Sequence, residues 1–181
     1  MIAEPTNLEG VWLLKPRQWG DQRGAIVQTF NAVDLADLSR RTASDGRYAP
    51  WLDWVQENVT VSERNVLRGV HGYWDLWRLC YCVYGEIYFA VVNCKDGDGQ
   101  FGRWQAWNLH GPQWGIVLVP PGFGMACLTL SNISIFAYKW SGYYERHEQF
   151  RFRHDDPRFG IEWPGDPKKF VLSERDRGEQ R

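Results

Sequence analysis

Histidine is scarce in this chain of 181 residues, with only four copies, and methionine scarcer still with two. Surplus positive charge is missing as well: 21 Lys and Arg stand against 22 Asp and Glu. No polybasic stripe interrupts the chain, so nucleic acid is excluded as an expected partner. Long hydrophobic runs are missing too. No stretch approaches the roughly 20 apolar residues of a membrane span, so no membrane partner is expected. The start, Met1-Ile2-Ala3-Glu4-Pro5-Thr6-Asn7, has neither a basic segment nor an apolar one. No signal peptide is therefore expected, and the cytoplasm is the expected location. Cysteine is sparse: Cys80, Cys82, Cys94 and Cys127. Cys80 and Cys82 share one face of an apolar strand and form neither a CxxC pair nor a metal knuckle, so they read as reduced core thiols. No repeat, low-complexity tract or linker divides the chain, which points to one domain over residues 1–181.

Aromatic side chains and short alternating runs are abundant instead. Phe, Trp and Tyr make up 15% of the chain, with eleven Trp. Rings in such numbers fill a wide core or line a pocket that stacks on a ligand. Apolar or alternating runs at 10–14, 25–30, 55–62, 66–71, 79–84, 87–94, 104–109, 116–119, 126–130 and 134–140 predict strands. Asp21-Gln22-Arg23-Gly24 predicts a turn, and Gly85-Glu86 a tight hairpin. One helical pattern stands out, at 32–41, where Val33, Leu35 and Leu38 recur among charges. Many strands with so little helix imply a sandwich or barrel. Past Gln149 the chain is charged, and Pro157, Pro164 and Pro167 exclude long helices.

Of the four histidines, His110, His147 and His154 lie in loop-like or strand-end surroundings and read as exposed polar residues. His71 differs, because it ends the apolar strand run Val66-Leu67-Arg68-Gly69-Val70-His71. Such a histidine faces a core or a cavity, and spacing alone favours a structural role. Cupin metal sites pair two histidines two residues apart, with a carboxylate soon after and a third histidine later. Here Tyr73 occupies the paired position, and Gly122-Phe123-Gly124-Met125-Ala126 offers no late histidine. One histidine cannot hold a catalytic Zn or Fe, so no metal or other cofactor is expected.

A set of blocks in order carries a resemblance. They are Arg68-Gly69-Val70-His71, Tyr84-Gly85-Glu86-Ile87-Tyr88, Pro120-Pro121-Gly122-Phe123, Tyr138-Lys139 with Tyr143-Tyr144, Asp155-Asp156-Pro157-Arg158-Phe159-Gly160-Ile161-Glu162-Trp163-Pro164 and Leu172-Ser173-Glu174-Arg175-Asp176. Asp21-Gln22-Arg23-Gly24 and Gln56-Glu57-Asn58 with Ser62 precede them. In this order and at these spacings the chain resembles the dTDP-4-dehydrorhamnose 3,5-epimerase family from about residue 10 to Asp176. The resemblance implies an all-β, cupin-type jelly-roll barrel with a few short helices, a homodimer that exchanges N-terminal strands, and no metal. It implies epimerisation at C3, C5 or both of a nucleotide-diphospho-4-keto-6-deoxy sugar. The C4 carbonyl acidifies the flanking C–H bonds. Inversion then takes a base on one face, an acid on the other and a group to stabilise the enolate oxygen.

By the same resemblance His71 is the base, Asp176 its partner and Tyr138 the acid. Arg78 stands where the family carries the enolate-stabilising Lys, keeping the cation but with planar, bulkier donors. Arg23 and Arg68 match diphosphate-binding residues, where guanidinium forks suit phosphate oxygens. Gln56 and Asn58 match polar residues near the sugar. Gln28 replaces a frequent Glu, and Met125 replaces a pocket-lining His. The loop Gly72-Tyr73-Trp74-Asp75-Leu76-Trp77 is short, as in GDP-linked deoxyheptose epimerases, and its tryptophans suit either stacking on a ligand or packing at the barrel mouth. Two rival readings are a 3,4-ketoisomerase on the same fold, against which Tyr73 speaks, and a non-catalytic sugar-nucleotide-binding cupin, against which His71, Tyr138 and Asp176 speak. The nucleotide base, and the choice between one inverted centre and two, stay open.

Overall fold

The computed structural model describes residues 1–42, 53–97, 99–145 and 148–178. His147 lies outside the described residues. Among the described residues thirteen strands and one α-helix follow in chain order: β1 (Ile2–Pro5), β2 (Trp12–Lys15), β3 (Arg17–Asp21), β4 (Gly24–Gln28), α1 (Ala32–Thr42), β5 (Gln56–Glu63), β6 (Leu67–Gly72), β7 (Arg78–Tyr84), β8 (Glu86–Asn93), β9 (Trp104–His110), β10 (Ile116–Val119), β11 (Phe123–Thr129), β12 (Ile133–Trp140) and β13 (Phe150–Arg151). Single 3-10 turns lie at Gly111–Gln113 and Pro167–Lys169.

Two antiparallel sheets face each other. The larger runs β1-β2-β10-β7-β12-β5 and the smaller β13-β6-β11-β8-β9, while β3 and β4 form a separate hairpin. This is the expected all-β, jelly-roll architecture, and alternation explains how the sequence encodes it. On β8, Ile87, Phe89 and Val91 enter the space between the sheets, while Ala90 and Val92 face outward. On β7, Cys80 and Cys82 point inward and Leu79 and Tyr81 outward. Successive strand residues alternate faces, so each run covers both sides of its sheet. All four cysteines are buried free thiols, as expected. Burial pushes the Cys80 thiol up to about 12, which keeps it protonated and inert.

Much of both outer faces is also covered, and this is where many of the tryptophans go, although Val59 and Val61 of edge strand β5 stay exposed. Leu35 and Leu38 of α1, with Trp12, Trp77 and Trp114, pack on the outer face of the larger sheet. Phe152, Phe159, Ile161 and Trp163 of the C-terminal segment pack on the outer face of the smaller one. The Asp155–Gly160 block thereby works as a packing device. Arg153 pairs with Asp155, Arg158 pairs with Asp156, and the Arg158 guanidinium lies 5.1 Å from the Phe152 ring centre.

Three strands depart from the sequence expectation: β1, β3 and the two-residue β13, which pairs with β6 through Phe150 and Arg151. β1 is an edge strand ending in Pro5, a position where the missing N–H costs no ladder bond. β3 is exposed along its whole length and shows no buried face to announce it. The predicted turn at 21–24 does close the β3–β4 hairpin, with Asp21 paired to Gly24. Trp19 and Ile26 sit opposite one another on it, 54% and 70% exposed.

Candidate active site

A cavity of about 300 Å³ opens between the sheets at one end of the sandwich. Its floor is the apolar interior, through Phe89, Met125, Cys127 and Phe136. Its polar wall comes from β5, β6 and the C-terminal segment.

His71 enters from β6 of the smaller sheet. The local backbone depends on Gly69, at φ +118°, where an added Cβ would lie 2.6 Å from both Ala126 Cβ and Met125 O. Only glycine lets β6 approach β11 so closely while turning both Arg68 and His71 to the cavity. His71 Nε2 lies 2.6 Å from Asp176 Oδ1, and the Ser173 hydroxyl donates to Asp176 Oδ2 at 2.8 Å. Burial pushes the Asp176 carboxyl up, but the hydrogen bond and charge of His71, the Ser173 hydroxyl and the Gly69 N–H outweigh it. The net effect holds the carboxyl below its ordinary value. An ionised Asp176 fixes the proton on Nε2 and leaves the Nδ1 lone pair to accept another.

Tyr138 enters from β12, on the opposite sheet. Its ring packs against Phe136 and Trp140, with centres 5.4 Å away in both cases. Burial pushes its phenol up, which the Asn58 side chain partly offsets, so the hydroxyl keeps its proton at neutral pH. Asn58 is the cross-strand partner of Tyr138 and lines the same cavity. Gln56 lines no part of it, but its amide donates to Asn58 Oδ1 at 3.1 Å and its Oε1 accepts the Tyr144 N–H at 3.0 Å. Gln56 thereby ties β5 to the loop that carries Tyr144.

Arg68 lines the cavity, its Nε donating to buried Ser62 Oγ at 3.0 Å. Met125 lines it too, directly across the strand pair from His71. Arg78 does not line it. The Arg78 guanidinium is fully buried and donates to the backbone carbonyls of His71 and Phe123. Arg23 sits at the tip of the detached hairpin in a forked pair with Asp21, and Gln28 at its base; neither lines the cavity. Among the described residues no group of three or more His, Cys, Asp or Glu converges as a metal site. His154, expected to be exposed, is half-buried, and its backbone carbonyl accepts the Trp163 indole N–H at 2.8 Å.

A profile of the dTDP-4-dehydrorhamnose 3,5-epimerase family matches residues 5–181. The chain belongs to that family. The dTDP-4-dehydrorhamnose 3,5-epimerase of Salmonella typhimurium is 30% identical over 91% of this chain and 86% of its own length. A dTDP-6-deoxy-D-glucose-3,5-epimerase from Legionella pneumophila, solved with dTDP-4-keto-L-rhamnose, superposes with a TM-score of 0.87 at 27% identity, covering 98% of this chain and 90% of that one. A 3'-monoepimerase from Streptomyces bikiniensis, solved with dTDP-quinovose, gives 0.84 at 29% identity, over 96% and 84%.

In this member of the epimerase family the cavity is also lined by residues that spacing did not single out. Arg175 donates from Nη2 to Gln149 Oε1 at 2.7 Å and from Nη1 to Tyr144 O–H at 3.3 Å, and all three side chains line the cavity. Thr60, Trp140 and Ser173 complete the wall. Their signal was present in outline. Ser173 and Arg175 flank Asp176 in one block, and Thr60 follows Asn58 at the strand period of two, on the same face.

Proposed function

We propose that this chain is a metal-independent isomerase that inverts C3, C5 or both of a nucleoside-diphospho-4-keto-6-deoxy sugar. The observation that carries the reading is the placement of a histidine–aspartate base and a protonated tyrosine on opposite sheets of one cavity. Opposite walls are what inversion demands, since a single group returning the proton it removed would restore the original centre.

The C4 carbonyl lets an adjacent C–H ionise. His71 accepts that proton at Nδ1 while Asp176 balances the imidazolium. Negative charge moves to the C4 oxygen, for which the Asn58 amide is an uncharged donor and Arg68 a nearby cation. Tyr138 then delivers a proton to the other face of the carbon. Arg68 and Arg175 make one side of the cavity cationic and suit the diphosphate. The apolar floor of Phe89, Met125 and Phe136 suits the methyl group of a 6-deoxy sugar.

The reading extends to a homodimer. Arg23 and Gln28 stand on a hairpin that reaches away from the chain's own cavity, and Trp19 and Ile26 on it lack cover. A second copy would bury those two side chains and receive Arg23 near its own diphosphate. The whole reaction belongs to this one domain, in the cytoplasm, in keeping with four reduced thiols.

The test is an epimerisation assay over thymidine-, guanosine- and cytidine-diphospho-4-keto-6-deoxy sugars, with product trapped by a 4-keto reductase, with and without EDTA. Turnover of one nucleotide series, unchanged by the chelator, is expected. Absence of turnover throughout, or loss on chelation with recovery on adding Zn or Fe, contradicts the reading.

A further inference from the structure

Arg78 is the least ordinary group in the interior. It opens β7 on the inward face and is 0% exposed. Its side chain crosses from the larger sheet to the smaller. There Nη1 donates to the carbonyl of His71 on β6 at 3.0 Å, and Nη2 donates to the carbonyl of Phe123 on β11. Those two strands pair at this point, with His71 opposite Met125 and Gly72 opposite Gly124. No carboxylate among the described residues pairs with the guanidinium, and its Nε has no partner. A buried cation without a counter-ion is costly, and an apolar side chain would fill this position at lower cost. What only a planar fork can do is hold two carbonyls of neighbouring strands at a fixed separation.

We infer that Arg78 is a positioning residue for the base: by clamping the backbone of His71 to that of Phe123, it fixes where the imidazole stands between Asp176 and the sugar. The inference rests on the proposed proton transfer at His71 but assigns Arg78 no contact with substrate. Proton abstraction is sensitive to such placement, since a shift on the order of 1 Å costs about 100-fold in rate. The nucleotide side of the cavity, held by Arg68 on Ser62 and Arg175 on Gln149, lies on other residues and stays as it is.

The experiment compares the full-length wild type with Arg78→Gln and Arg78→Lys. Three quantities are read: kcat and KM on a nucleoside-diphospho-4-keto-6-deoxy sugar, the imidazole 15N shifts of His71 with its downfield Nε2–H proton, and Tm. In Arg78→Gln, kcat is expected to fall about 100-fold with KM within about threefold, and the His71 resonances to move. Arg78→Lys, a point charge without the fork, is expected to move the same resonances and lose about tenfold in kcat. Should Arg78→Gln fail to fold, Arg78→Lys decides alone. Unmoved His71 resonances with a collapsed kcat would mean that the cation acts on substrate directly. Wild-type kcat would reduce Arg78 to packing. Either result overturns the inference. Because the imidazole signals are read without substrate, a wild type that epimerises nothing would sink the functional reading and still leave the clamp measurable.

Discussion

Asp176 holds its charge below the ordinary carboxylate range, and that charge fixes the tautomer of His71. Asp176→Asn would offer an amide N–H to Nε2, move the ring proton to Nδ1 and remove the lone pair that accepts from carbon. The expected loss is about 100-fold or more in kcat with little change in KM, read by steady-state kinetics. The same shift sets a stability window. A carboxyl with a lowered folded-state pKa stabilises the fold fully above its unfolded value, near 3.8, and loses that contribution as pH falls through the folded value. Thermal melts below pH ~4 should therefore be less pH-dependent in Asp176→Asn than in wild type. At this scale His71, Tyr138, Asp176, Arg68, Asn58 and Met125 were all named from sequence and all line one cavity. Arg78 was named too, in a role its side chain does not face. Strand alternation puts Arg78 and Cys80 on the inward face. It cannot say how deep between the sheets a long side chain ends, or that its donors go to backbone.

Elements with a buried face were legible, and β4 was legible from its alternation alone although none of its residues is buried. The runs of β7, β8, β10 and β12 alternate between two covered faces and so declared themselves, whereas β3 has no buried residue at all. The Arg68-Gly69-Val70-His71 block was read as a sequence signature; its glycine turns out to be a contact requirement between β6 and β11. Gly69→Ala places a methyl group against Ala126 at a backbone angle that L-residues avoid. Destabilisation of about 2–4 kcal/mol is expected in urea titrations, along with lost activity because His71 and Arg68 are displaced together. Gly160→Ala, also at positive φ but with nothing near its added Cβ, serves as the control and should cost less.

At the scale of the whole molecule, the β3–β4 hairpin stands apart from both main sheets and has no buried residue of its own. Serine at both Trp19 and Ile26 should leave the Tm of a dilute sample nearly unchanged and shift light scattering from dimer toward monomer. Dimers that persist undiminished would show that the hairpin is not the contact. The central claim is that one cavity removes a proton on one face and returns it on the other, and NMR in heavy water tests this most directly. Wild type should replace the hydrogen at C3 or C5 of a nucleoside-diphospho-4-keto-6-deoxy sugar with deuterium and invert that centre. His71→Ala should do neither, and Tyr138→Phe should exchange while yielding little inverted sugar. Exchange at the wild-type rate in His71→Ala, or inversion at the wild-type rate in Tyr138→Phe, would contradict the account.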